Sequence, residues 1–156
     1  MSLLVWNDSL SIKIPKFDEE HKTLIKMIND IHDVIMYAKG FDIIAQTMKD
    51  LVAYTQTHFK REEEFLKKYN YSEIEAHKEE HKKFVAKITM LWCAITLSHD
   101  EEDRAFVAHI VEFQDKYLRE MNSSATYIQD FLGSWLINHV KKTDAKYGAV
   151  LHGKEP

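Results

Sequence analysis

Residues 77–95 read HKEEHKKFVAKITMLWCAI and decide the fold class. The large apolar side chains of this stretch include Phe84, Val85, Ile88, Trp92 and Ile95. They recur every three or four residues, which is the spacing of one face of an amphipathic helix. His77 and His81 begin the same stripe, four residues apart. The stretch therefore predicts a long helix with two histidines on its inward face.

Three other stretches have the same periodicity, and each predicts a helix. The first begins at Asp18, which is available as its N-cap, and ends before Gly40, while the second covers about residues 42–69. The last covers about residues 124–146, with Gly148 as its stop. The inward stripe of the second helix includes Met48, Leu51, Thr55, His58, Glu62 and Phe65.

Four long helices predict an all-α, up-down-up-down four-helix bundle, with residues 1–156 as a single domain. Residues 1–17 have no sustained helical period. They predict an extended N-terminal arm that packs Val5, Trp6 and Ile14 onto the bundle.

About residues 99–122 predict an extra helical insertion between the third and fourth helices. A single added helix of about 20 residues would travel roughly 30 Å and misplace the start of the next helix. The insertion must therefore double back, lie across the bundle end, or lengthen both neighbours into a hairpin. Its apolar face either packs on the bundle or contacts a protein partner or a second subunit.

The composition excludes several classes of protein. Apolar residues make up 45% of the 156 and charged residues 29%, which is too apolar for a disordered chain. Four glycines and two prolines supply few turns for an all-β fold. The formal charge of -4, with basic residues scattered among acidic ones, argues against nucleic acid as a partner. No uncharged apolar run approaches the roughly 20 residues of a membrane span, so no membrane insertion is expected.

Two further features bear on the compartment. Met1 to Lys13 lacks the basic and apolar segments of a secretory signal, so a cytoplasmic location is expected. Cys93 is the only cysteine, which rules out an intramolecular disulfide and agrees with a reducing compartment. Because it falls within an apolar-periodic stretch, Cys93 is expected to be a small buried side chain.

Seven residues of metal-binding type fall on the inward stripes: His21, His58, Glu62, His77, His81, His139 and Asp144. Six of them form three pairs, spaced by four residues on the second and third helices and by five on the fourth. Each pair therefore lies on roughly one side of its helix. The first helix contributes the remaining histidine. The charge runs at residues 61–64 and 78–83 are expected to be solvated faces.

Imidazoles and carboxylates suit first-row divalent metals, and facing helices hold such ligands on fixed supports. Seven ligands are too many for one zinc ion. Two divalent ions need about that number if Glu62 and Asp144 bridge them and one position stays open. The alternative is that the histidines are ordinary surface or core residues. That would leave many unpaired polar groups in the core, so the pattern favours a dinuclear metal site.

The motifs that carry these residues resemble those of the hemerythrin family, particularly its single-domain bacterial members. The matching motifs are FDEEHKTL at residues 17–24, HFKREE at 58–63, HKEEH at 77–81 and WLINHVKKTD at 135–144. The arm at Val5 and Trp6 is also similar. The resemblance therefore covers nearly the whole chain, and the long connection at about residues 99–122 departs from the family pattern.

The resemblance implies two iron ions. One iron would be held by His77, His81 and His139. The other would be held by His21 and His58 and would keep an open position, where dioxygen binds end-on to the reduced centre. Dioxygen would take two electrons there and accept a proton from the bridging hydroxide, so that nothing is permanently oxidised.

The resemblance further implies that Glu62 and Asp144 bridge the two irons together with an oxo or hydroxo group. Trp135 and Leu136 match positions that help to wall the ligand pocket in the family, although tryptophan on a helix stripe is commonly plain core. The histidines not expected to be ligands are His32, His99, His109 and His152.

Reversible dioxygen binding, for storage, delivery or sensing, is therefore the expected function, without enzymatic activity. The sequence leaves nitric oxide open as a second ligand. One alternative is a di-iron oxidase or peroxidase. Such sites in ferritin-like proteins use a glutamate three residues before a histidine, and no histidine here has one. The other alternative is an interaction bundle whose metal serves only stability, and that site would be coordinatively closed.

Overall fold

The computed structural model describes residues 2–37, 39, 41–97 and 125–156. Its four long helices are α1 (Pro15–Met36), α2 (Phe41–Lys68), α3 (Ile74–Leu97) and α4 (Ala125–Asn138). A π-helical segment (His139–Asp144) and a short helix α5 (Ala145–Leu151) continue α4 without a break. No strand occurs in these parts of the chain, which confirms the all-α prediction.

Within the same described ranges, no helix combines the length and apolarity that crossing a bilayer requires. The insertion predicted at about residues 99–122 lies outside the described residues.

Neighbouring helices run antiparallel. At one end of α3, Glu73 forms an ion pair with Lys146 at 3.0 Å. Further along α3, Phe84 stacks on Phe131, which comes earlier in the chain than Lys146, with 5.8 Å between ring centroids. A short connection joins α1 to α2 in the same hairpin arrangement. The predicted stripe of α2 forms part of the core between the helices, and none of its six residues exposes more than 2% of its surface.

The end of the N-terminal arm differs from the prediction. α1 begins at Pro15 rather than Asp18, because proline suits the first turn of a helix. Asp18 is therefore not the N-cap, and the arm is shorter than residues 1–17. The Asp18 carboxylate instead accepts hydrogen bonds from the Ile12 backbone N–H at 2.8 Å and from the Ser11 hydroxyl at 2.6 Å. These bonds tie the arm to α1.

The buried residues of the arm are Leu10, Ile12 and Ile14. Leu10 ends a short 3-10 helix (Asp8–Leu10), and Ile12 and Ile14 follow at alternate positions, so one side of this part of the arm faces the core. The prediction for Ile14 is confirmed and Trp6 is half-buried, but Val5 is 71% exposed, so the prediction for Val5 was wrong. The Leu4 backbone exchanges two hydrogen bonds of 2.9 Å with the Asn29 side chain. Because successive side chains of an extended segment alternate, fixing Leu4 against the bundle turns Val5 outward.

Gly148 does not end the last helix, contrary to the prediction. α5 continues to Leu151, and it is Gly153, with φ +78°, that has the left-handed backbone typical of a glycine stop. A Cβ atom added at Gly148 would lie 2.5 Å from the backbone oxygen of Ile12. Glycine is required at Gly148 because the arm crosses the helix there.

Gly148→Ala is expected to lower the free energy of unfolding of the metal-free protein by about 1–3 kcal/mol, because the arm or the helix must shift. Urea unfolding measures this. Gly133→Ala is the matched control, since its Cβ would meet only a flexible Leu4 methyl at 3.3 Å. Alanine also gains roughly 0.5–1 kcal/mol over glycine inside a helix. Equal stability of the two variants would contradict the account of the arm.

Cys93 is exposed, so the expectation that it is a buried side chain was wrong. The buried position in this turn of α3 is taken by Leu91, which exposes 1% of its surface. The apolar stripe passes through Leu91 and leaves Cys93 off the inward face.

Candidate metal centre

The structure brings all seven predicted residues into one cluster inside the bundle. None of them exposes more than 4% of its surface. Their ligand atoms form two groups, and within each group the atoms lie within 4.8 Å of one another. The larger group consists of Glu62, His77, His81, His139 and Asp144. The smaller consists of His21, His58 and Glu62.

The π-helical segment explains how His139 and Asp144 reach the same point. Residues five apart in an α-helix lie about 140° apart around its axis. A π-helix closes its hydrogen bonds over five residues, so the same pair lies much closer together around the axis than in an α-helix. His139 Nε2 is 3.0 Å from Asp144 Oδ1. The two residues do share one side of the helix, but the change of helix type that places them there was not predicted.

Three glutamates outside the predicted set contact the far side of the histidine rings. The Nδ1 contacts are His58 with Glu20 at 2.7 Å, His81 with Glu63 at 2.9 Å and His139 with Glu80 at 2.9 Å. A carboxylate at Nδ1 keeps the proton of a neutral imidazole on that nitrogen. It therefore leaves the Nε2 lone pair directed at the centre, an arrangement common among metal-binding histidines.

The expectation that the charge runs are only solvated faces was wrong for Glu63 and Glu80. Their side chains are 29% and 50% exposed, yet each also holds a histidine. Glu80 additionally accepts a hydrogen bond from the Thr143 hydroxyl at 2.8 Å. Spacing along a single helix could not reveal these partners, because each bond joins two helices. Glu80, for example, precedes His81 in the chain but contacts His139.

The inward-facing atoms are mostly acceptors. The Nε2 atoms of His81 and His139 face each other at 3.1 Å, and His81 Nε2 lies 3.1 Å from Glu62 Oε2. Within the part of the chain that the structure describes, neither carboxylate oxygen of Asp144 has a hydrogen-bond partner. Lone pairs packed this closely are stable only with cations between them, either protons or metal ions. Imidazole and carboxylate ligands fit first-row divalent metals, so these residues suit a dinuclear centre.

Two of the clustered histidines, His21 and His139, are held neutral, as metal ligands must be. Burial, followed by repulsion from the His58 imidazole, lowers the pKa of His21 to about 3. Burial also lowers the pKa of His139. Both rings therefore carry a free lone pair at neutral pH.

The two carboxyl groups of the cluster, Glu62 and Asp144, differ in their pKa values in the metal-free protein. Burial alone would raise the pKa of Glu62, but the His77 and His81 imidazoles, whose Nε2 atoms face its carboxylate, hold it well below its usual range. Burial and the Glu62 charge raise the pKa of Asp144 well above its usual range. The Tyr147 hydroxyl donates a hydrogen bond to Glu62 Oε1, and burial with the Glu62 charge raises its pKa well above 10. Tyr147 therefore stays protonated and orients the Glu62 carboxylate.

Trp135 and Leu136 lie beside the centre. The Trp135 ring stacks on His139 at 4.4 Å and on Phe84 at 3.8 Å between centroids. Leu136 exposes 3% of its surface. These contacts place Trp135 against the larger ligand group, and the pocket role of both residues stays a prediction.

The structure brings neither His32 nor His152 into a group of ligand atoms. His152 Nδ1 instead lies 2.9 Å from the Ala149 backbone oxygen. His99 and His109 lie outside the described residues.

Comparison with known proteins agrees with this geometry. Residues 13–91 match a family model described as the hemerythrin HHE cation binding domain. The chain belongs to the hemerythrin family. A bacteriohemerythrin from Methylococcus capsulatus is 30% identical over 155 residues, which is 97% of this chain and 98% of that protein.

Other hemerythrins are similar at comparable levels. A myohemerythrin from Theromyzon tessulatum is 29% identical over 146 residues, covering 94% of this chain and 92% of that protein. A crystal structure of wild-type hemerythrin aligns with a TM-score of 0.72 at 26% identity, covering 97% of this chain and 99% of that one. These findings confirm the family resemblance and the helical-bundle fold.

Glu80→Gln is expected to weaken iron binding roughly 10- to 100-fold, because the amide holds the His139 ring and its Nδ1 proton less firmly. Competition between the protein and a coloured chelator for ferrous iron, under argon, measures this. Glu79→Gln is the control, since Glu79 is exposed and contacts only Lys83, at 3.8 Å, among the ion pairs of the described residues. Equal iron affinity in the two variants would show that Glu80 does not support the centre.

Proposed function

We propose that this chain binds dioxygen reversibly at a di-iron centre. One iron binds His77, His81 and His139, and the other binds His21 and His58. Glu62, Asp144 and an oxo or hydroxo group bridge the two ions. The cation-binding family and the two groups of ligand atoms support this proposal.

The observation that carries the proposal is the unequal size of the two groups. Asp144 faces both, since its Oδ1 is 3.0 Å from His139 Nε2 and its Oδ2 is 3.4 Å from His21 Nε2. Glu62 belongs to both groups. With both carboxylates shared, the ion at His21 and His58 has one protein ligand fewer than its neighbour. That ion keeps a position for an external ligand.

When bound, two ferrous ions supply the pair of electrons that dioxygen binding requires. The protein's own residues do the rest. Five neutral imidazoles and two carboxylates limit the net charge that the buried centre must carry. Tyr147 fixes Glu62, and the glutamates at Nδ1 fix three of the rings. Buried apolar side chains around the centre keep water away from it.

Binding rather than oxidation of a substrate is supported by this ligand set, which is richer in histidine than the carboxylate-rich centres of ferritin-like oxidases. Storage or delivery of oxygen is the simplest use of such a site. Sensing would need a partner that detects the bound state. Nitric oxide is a second ligand for the same open position and would compete with dioxygen there.

An oxygen electrode distinguishes binding from catalysis. Reduced, iron-loaded protein is expected to take up one dioxygen per chain and to release it under argon. When ascorbate is present in excess, oxygen consumption should stop once the sites are filled. Continued consumption in proportion to protein would instead support an oxidase or peroxidase.

A further inference from the structure

Thr55 is a fully buried residue of α2 whose hydroxyl has no hydrogen-bond partner among the described residues. A threonine hydroxyl inside a helix commonly bonds the backbone oxygen four residues earlier. Thr47 and Thr57 on the same helix do so, at 2.7 and 3.0 Å. Thr55 does not. Because an unpaired buried hydroxyl is costly, its partner is expected to be a group that does not belong to the protein.

Thr55 belongs to a layer of side chains one turn away from the metal centre. α1 and α3 run opposite to α2 and α4. The positions three residues after His21 on α1 and after His81 on α3 therefore lie on the same side of the metal centre as the positions three residues before His58 on α2 and before His139 on α4. The layer consists of Leu24, Thr55, Phe84 and Leu136. None of these four exposes more than 5% of its surface, and only Thr55 is polar.

The layer adjoins the open position. His58 belongs to the smaller ligand group, and Thr55 stands one turn from it on the same helix. We propose that the Thr55 hydroxyl donates a hydrogen bond to the small ligand that binds at this position. The inference rests on the proposed function and adds a residue that selects among ligands.

A single donor in an otherwise apolar layer distinguishes ligands by charge. A hydrogen bond to a charged acceptor is about twice as strong as one between neutral groups. Thr55 therefore favours ligands whose outer atom carries negative charge, such as azide or dioxygen that has drawn electrons from the centre. A diatomic ligand that stays uncharged when it binds is stabilised only weakly by this hydrogen bond.

Azide binding to the ferric protein provides the test. Thr55→Val keeps the shape and removes the hydroxyl, Thr55→Ser keeps the hydroxyl, and Thr57→Val is the control. Thr55→Val is expected to raise the azide dissociation constant roughly tenfold or more. It should also abolish the shift of the azide infrared stretch between H2O and D2O. Thr55→Ser and Thr57→Val should keep that shift.

Three other results would overturn the inference. Thr55→Val with two irons bound and with unchanged azide affinity and infrared shift would overturn it while leaving the proposed function intact. A lower melting temperature of metal-free Thr55→Val would show that the hydroxyl has a structural partner, whereas an equal or higher one is expected. Failure of the wild-type protein to bind two irons, or azide, would overturn the proposed function as well.

Discussion

Replacing Glu62 with glutamine is expected to lower the affinity for iron by roughly two to four powers of ten. Removing one partner from a set of buried charges costs about 3–5 kcal/mol. Glu62 is the residue that both ligand groups share, so both ions lose a bridging carboxylate. The purified variant should hold well below two irons per chain, as measured by a colorimetric iron assay with protein quantified by amino-acid analysis.

The same substitution should leave the metal-free fold intact. A glutamine oxygen still accepts the Tyr147 hydrogen bond, and the amide can donate to the facing histidine nitrogens of the inner cluster. Glu64→Gln is the matched control, because Glu64 is 66% exposed on the same helix and lies 4.0 Å from Lys60. Two irons per chain in Glu62→Gln would show that Glu62 is not a bridging ligand.

Removing the iron is expected to lower the melting temperature by on the order of 10 °C. Ions that bind only the folded state stabilise it by about 4 kcal/mol at a thousand times their dissociation constant. Each kcal/mol corresponds to roughly 2–4 °C for a chain of this size. The physical cause is the cluster of facing acceptors, such as His81 and His139 Nε2 at 3.1 Å, which metal ions hold together.

Scanning calorimetry before and after anaerobic dialysis against a chelator measures this shift. Glu62→Gln provides the internal control, because chelator should hardly change the melting temperature of a variant that has little metal to lose. An equal melting temperature for the loaded and metal-free wild-type protein would mean that the ions do not bind within the folded cluster.

Helix periodicity was enough to predict the core of the bundle. The stripe from Met48 to Phe65 is buried throughout, because side chains three and four apart share a face whatever their chemistry. Of the seven predicted metal-binding residues, the pairs four apart on α2 and α3 share a face for the same reason, whereas His139 and Asp144 also need the π-helical segment. Their spacing along each helix, and the antiparallel packing of the helices, are both visible in the sequence.

Features that depend on contacts between distant segments could not be predicted. Gly148 is a typical helix stop by its residue type, and only the crossing of Ile12 shows that it is required for close packing. Glu20 stands beside His21 in the chain but contacts His58, which lies on another helix. The π-helical segment also has no sequence signal of its own, since His139 and Asp144 would have the same spacing in an α-helix.

Reversible oxygenation is the property that most directly shows whether the centre binds dioxygen. Iron-loaded protein is reduced under argon, exposed to air and returned to argon while its visible absorption is recorded. A charge-transfer band that appears with oxygen, fades under argon and returns over repeated cycles, with two irons per chain, is the expected result. A band that never forms, or one that forms once and does not fade, would contradict reversible dioxygen binding at this centre.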